Sequence, residues 1–116
     1  MSARVFAMSV ASVYPLYLAR IEKRGRERAE LDAVLRWLTG FDDATLAGHL
    51  EARTSFQDFF AAARLNPDAT RITGVVCGVR VETVEDPLLQ KIRYLDKLVD
   101  ELAKGRPLAK VLRQVP

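Results

Sequence analysis

Apolar residues recur along this chain at helical spacing, in short blocks separated by turn residues. Tyr14, Tyr17, Leu18 and Ile21 fall at i, i+3, i+4 and i+7, the period of one helix face. Proline is favoured at a first helical position, so the pattern predicts a helix opening at Pro15 and closing near Lys23–Gly25. Residues 1–9 precede it as irregular chain. A second helix is expected from about Glu27 to Thr39, with Leu31, Val34, Leu35 and Leu38 as its buried stripe and Trp37 beside it. Gly40 supplies the left-handed stop. Asp42 or Asp43 caps a short third helix with Leu46, Ala47 and Leu50 inward. Ser55 opens a fourth, in which Phe56, Phe59, Phe60 and Ala63 repeat the same spacing, as core side chains rather than a ligand cage.

Leu65-Asn66-Pro67-Asp68 reads as a turn. The stretch after it, TGVVCGVRVETVEDP, carries two competing periods. As a strand, Val79, Val81 and Thr83 alternate with Arg80 and Glu82, and β-branched residues are dense. As a helix from Asp68, Ile72, Val75, Val76, Val79 and Thr83 share a face. With no convincing strand partner elsewhere, a lone strand has no ladder to join, so a helix is expected. On it Gly74 and Gly78 sit four apart beside Cys77, a thin face suited to close approach of another helix, from the same chain or a second copy. Asp86-Pro87 breaks the chain. A long helix follows, with Leu88, Ile92, Leu95, Val99 and Leu102 spaced 4, 3, 4 and 3. Lys97–Glu101 and Asp100–Lys104 are expected as i, i+4 pairs on its exposed side. Gly105 ends it, and Pro107 opens a last turn with Leu108, Val111 and Leu112. The sum is an all-α, compact, orthogonal bundle of six to seven short helices in one domain.

Composition narrows the chemistry. At 116 residues, 49% hydrophobic and 28% charged, the chain has enough apolar surface for a real core and is not a disordered sequence. One cysteine and one histidine exclude an internal disulfide and a standard zinc site. No metal and no cofactor is implied, and a reducing, cytoplasmic setting fits. The N-terminal twenty residues have a signal-like mix of Arg4 and apolar residues. Pro15, Tyr14, Tyr17, Ser9 and Ser12 interrupt it, so it is expected to fold rather than be cleaved. No run reaches the ~18 apolar residues of a membrane span. Charge is uneven: residues 39–60 hold four acids against one base, a net of −3, and residues 88–116 hold seven bases against three acids, a net of +4. Such asymmetry suits an acidic partner or self-association as readily as solvated helix faces.

Single residues offer little catalysis. Cys77 lacks a neighbouring base in sequence, since His49, the only histidine, lies in the acidic segment near a helix end. Arg20, Lys23, Arg24, Arg26 and Arg28 form a basic cluster, but Glu22, Glu27 and Glu30 interleave it. The helix–turn–helix look around TGFD puts Asp42, Asp43 and Glu51 where a groove-reading helix needs bases. Both features argue against nucleic acid, leaving weak binding through residues 20–28 as a third reading. Arg80, Glu82, Asp86, Arg93 and Asp96 are the densest polar group. They form either an ion-pair network across the bend at Pro87 or the lining of a small polar-ligand or enzyme site.

YPLYLARIEKRGR, RWLTGF, FFAAARLNPDA and above all TGVVCGVRVETVEDPLLQKIRYLDKLVDELAKGR resemble the bacterial family known as domain of unknown function 2200, in order, from about Val13 to Arg113. Family members more often carry Asn where this chain has Asp68 and Pro where it has Arg64, departures confined to one turn. The resemblance implies a small, compact, cytoplasmic helical domain. It supplies no activity, substrate, cofactor or catalytic residue. The leading expectation is therefore a non-enzymatic interaction or self-association module, using the Gly74/Gly78 face or the basic C-terminal helices. The competitor is a ligand binder or enzyme at the Arg80–Asp96 cluster.

Overall fold

A computed structural model describes residues 2–114. Seven α-helices are present among them: α1 (Ser2–Ala7), α2 (Val10–Glu22), α3 (Arg28–Thr39), α4 (Asp43–Glu51), α5 (Phe56–Ala62), α6 (Pro87–Ala103) and α7 (Leu108–Val111). The compact, mostly helical class expected from the sequence holds, with one small addition between α5 and α6. There a 3-10 turn (Pro67–Arg71) leads into a hairpin of β1 (Val75–Val76) and β2 (Val79–Arg80), followed by a second 3-10 turn (Val81–Thr83).

The helices begin and end where local chemistry directs. Ser9, Asp42 and Ser55 accept from the backbone N–H three residues on, and Asp86 from those of Leu88 and Leu89, each satisfying an orphan donor of a first turn. Gly40 closes α3 at φ 74°, where a side chain would meet the Arg64 carbonyl at 3.0 Å. α6 is the central element: it packs on α1, α2, α3, α5, α7 and the hairpin. Its stripe of Ile92, Leu95, Val99 and Leu102 is buried with the α3 stripe of Leu31, Val34, Leu35 and Leu38. Phe56, Phe59 and Phe60 close the core from α5.

Four expectations need correction. First, α2 opens at Val10, not Pro15, because Ser9 caps it and Val10 is anchored in the core. Pro15 sits inside the helix, exposed to solvent. Second, residues 2–7 are helical rather than irregular. A bridge between Ser9 and Ser55, through Val10 N–H to Thr54 C=O (2.9 Å) and Phe56 N–H to Met8 C=O (2.9 Å), ties this N-terminal segment to the start of α5.

Third, residues 68–85 are not a helix. The strand partner missing from the rest of the chain lies inside the same stretch: Val75 pairs with Arg80 and Val76 with Val79, antiparallel, around a two-residue turn. Cys77 at φ 51° and Gly78 at φ 77° make that turn, both in the left-handed region that hairpin loops of this length require. Gly74, Cys77 and Gly78 therefore form no helix face; among the described residues, nothing lies within 4 Å of a side chain placed at Gly78. Fourth, Asp100 and Glu101 are 5% and 6% exposed, so the expected pairs are not on an open side of α6.

Candidate functional site

The polar group expected around Pro87 separates into three. Arg80 and Glu82 pair at 3.2 Å on the exposed hairpin side, and Glu82 also accepts the Gly74 N–H at 3.0 Å. Hydrogen bonds from Gly74 and from its own backbone hold the Glu82 carboxyl below its usual range, with Arg80 adding to the effect. Asp86 is spent on capping α6. Only Arg93 and Asp96 lie together in a partly buried setting, 2.7 Å apart. The bend at Pro87 thus assembles no five-residue site.

A different charged seam runs along the second half of α6. At its upper end the Tyr17 hydroxyl donates to Asp96 at 2.6 Å and Arg93 donates to the other oxygen, with the Cys77 thiol 3.9 Å from the same carboxylate. Burial first, then Asp96, pushes the Tyr17 pKa well above 10, so it remains a donor. Burial, then Asp96, also raises the Cys77 pKa; Arg93 and Arg20 offset this only in part. A thiol held protonated beside a carboxylate is a poor nucleophile. His49 is far from this chemistry in role: it bonds Thr54 and packs between the rings of Phe41 and Phe59.

One turn on, Asp100 takes Arg20 at 2.5 Å on one oxygen and Lys104 at 2.9 Å on the other, with Lys97 at 3.9 Å. Burial alone would raise its pKa, but the hydrogen bonds and charges of Lys104 and Arg20 outweigh that and hold the carboxyl below its usual range. Next to it, Glu101 receives a two-pronged contact from Arg113, at 2.5 and 3.0 Å, and has Arg106 at 3.4 Å. Lys97 donates to the Val75 carbonyl at 3.3 Å, which joins the seam to the base of the hairpin.

Lys97, Glu101, Lys104, Gly105 and Arg106 line an open groove of about 370 Å³. Among the basic residues 20–28, Arg20 enters the seam, while Arg26 turns to Glu30 and the Arg106 carbonyl. Lys23 and Arg24 stay exposed at the end of α2, and Arg28 lies over the Tyr14 ring. Sequence reasoning missed the seam because its members come from four segments of the chain. The one available signal was position: Asp100 and Glu101 directly adjoin Val99 and Leu102 of the core stripe.

Among the described residues, no three His, Cys, Asp or Glu side chains are grouped to hold a metal ion. No helix among them is long and apolar enough to cross a membrane.

A small helical bundle with one hairpin and an ionic seam on its central helix defines the class. The chain belongs to the family of uncharacterized proteins conserved in bacteria, domain of unknown function 2200, whose model matches residues 4–113. A solved structure, the crystal structure of the uncharacterized protein SP1917, is similar throughout. It is 40% identical, with a TM-score of 0.90, over 98% of this chain and 94% of that one. No curated protein matches the chain. The resemblance carried by the long C-terminal motif is therefore a family relationship, and it brings no indicated activity with it.

Proposed function

We propose that this protein is a non-enzymatic interaction module whose groove at the end of α6 receives an acidic, partly apolar segment of a partner protein. The observation that carries this reading is the excess of positive charge there. Lys97, Lys104 and Arg106 line the groove, and the one acid among its lining residues, Glu101, is occupied by Arg113. Lys104 and Arg106 each face one of the two seam acids, but Arg20, Lys97 and Arg113 share those same acids, so cations outnumber them, and the Lys104 and Arg106 side chains are 67% and 51% exposed. Lys97 also donates to the backbone carbonyl of Val75, a hairpin residue that is 51% exposed and offers apolar area for a partner side chain. Complementary charge of this kind steers encounter and sets specificity. The lining holds no thiol, hydroxyl or imidazole for nucleophilic chemistry and no aromatic ring on which bases would stack.

The test uses a fluorescein-labelled peptide of alternating glutamate and leucine, followed by fluorescence anisotropy at several salt concentrations. Saturable binding that weakens with salt, and at least about tenfold weaker binding by the Lys104→Glu/Arg106→Glu double variant, supports the reading. It fails if the peptide does not bind, or if a polyuridine oligonucleotide binds more tightly at the same ionic strength. A wild-type dimer that the double variant abolishes in light scattering would give the groove to a second copy, and would overturn it too.

A further inference from the structure

A second concavity lies between α2, α3 and α4 and shares no lining residue with the α6 groove. Its volume is about 480 Å³, within the range of about 300–1,000 Å³ typical of small-ligand sites. Leu46, Ala47 and Leu50 of α4 give it an apolar side. Arg28, Asp32 and Arg36 follow at four-residue intervals on α3, so they stack on one face in the order plus, minus, plus. Tyr14 from α2 is 8% exposed, donates its hydroxyl to Asp32 Oδ1 at 2.5 Å, and carries the Arg28 guanidinium over its ring at 5.7 Å. Arg36 is paired with Asp43 at 2.7 Å.

Two charges are left with capacity. Among the described residues, Arg28 joins no ion pair, and Asp32 has no cation at ion-pair distance, its bond to Tyr14 using one oxygen. Four residues rise about 6 Å along a helix, a span that the flexible Arg28 stem brings within reach of the two ends of an α-amino acid. We infer that this cleft binds a small zwitterion with an apolar side chain, the chemistry of a free hydrophobic amino acid. Its carboxylate lies on Arg28, its ammonium on Asp32, and its side chain over Leu46, Ala47 and Leu50. The same charge order rejects competitors. A simple carboxylate leaves Asp32 unpaired, a simple amine leaves Arg28 unpaired, and a dicarboxylate is repelled by Asp32.

The experiment is an NMR titration of the full chain with L-leucine, isovalerate and isoamylamine, the last two lacking the ammonium and the carboxylate respectively. Leucine is expected to give saturable shifts in α3 and α4, with each single-charge analogue at least about tenfold weaker. Arg28→Ala, at an exposed position, is expected to weaken leucine by about tenfold and leave isoamylamine unchanged. Asp32→Asn keeps an acceptor for Tyr14 and is expected to weaken leucine and leave isovalerate no weaker. No saturable shift with leucine, equal binding of all three compounds, or leucine binding indifferent to Arg28→Ala would each overturn the inference. None of these outcomes bears on peptide binding at the α6 groove, so the two readings stand or fall separately.

Discussion

Two pairs of consecutive acids, Asp42-Asp43 and Asp100-Glu101, do opposite kinds of work. Asp42 is exposed and accepts the Thr45 N–H at 2.8 Å, a bond that holds its carboxyl below the usual range; Asp43, its side chain 85% exposed, reaches Arg36. That pair acts locally and decides where α4 begins. Asp100 and Glu101 are nearly covered, and their partners are remote: Arg20 lies 80 residues before Asp100 and Arg113 lies 12 after Glu101. Covered carboxylates are costly unless every partner is present. The α6 pair therefore depends on the assembled fold, and the α4 pair on its own turn and one exposed contact with the neighbouring α3.

Removing a partner from the covered pair should have the largest effect. Arg113→Ala strips Glu101 of both hydrogen bonds and is expected to cost about 3 kcal/mol, or roughly 10–15 °C in Tm. A loss under ~1 kcal/mol by urea titration would mean that Arg106 and water satisfy Glu101, and the contrast between the pairs would collapse.

Asp100 gives the contrast a pH signature. Its folded pKa is depressed, so its contribution is present above the unfolded value of about 3.9 and is lost as pH falls through the folded value below that. Two of the cations around Asp100, Arg20 and Lys104, are 48% and 67% exposed, which leaves the group partly screened by water. Asp100→Asn is therefore expected to be about 2 kcal/mol less stable at pH 7 and to converge on wild type as pH drops below about 4. A constant gap across that window would show that the loss is one of packing and not of charge.

The smallest effects belong to α4. Asp42→Ala removes a cap and is expected to lower Tm by about 5 °C, while Asp43→Ala, losing one exposed ion pair, shifts it by no more than about 2 °C. Equal effects in thermal melts would mean that Asp42 and Asp43 contribute by charge alone and not by capping.

What was legible in the sequence follows the same division between local and remote. The stripes of α3 and α6, the caps Asp42 and Ser55, and the stop at Gly40 are written within a few residues of where they act. The Asp100–Lys104 pair was legible for the same reason, being one helical turn apart. The burial of Asp100 and Glu101 was not, because their partners Arg20 and Arg113 come from α2 and the segment after α7. The hairpin was missed differently. Its alternation at Val79, Val81 and Thr83 was visible, but the partner lies only two residues before it in a ladder of two pairs, and Cys77-Gly78 replaces the asparagine- or aspartate-glycine that usually announces such a turn. In the α3 cleft, Arg28, Asp32 and Arg36 could be read as a helix face and Tyr14 as part of another, but not their meeting, which depends on how α2 packs on α3.

α6 has a consequence for the newborn chain. Because it touches α1, α2, α3, α5 and α7, the faces that α1, α2, α3 and α5 turn toward it have no cover until it is made, and its last residue is Ala103. While the roughly hundred residues from α1 to α6 are being made, the leucines and phenylalanines that α6 will cover are therefore wet. At the ~5–20 residues per second of translation this interval is on the order of ten seconds, long enough for a chaperone to find it. α6 then enters as the last large piece, bringing the acids that meet Arg20 and its own Arg93.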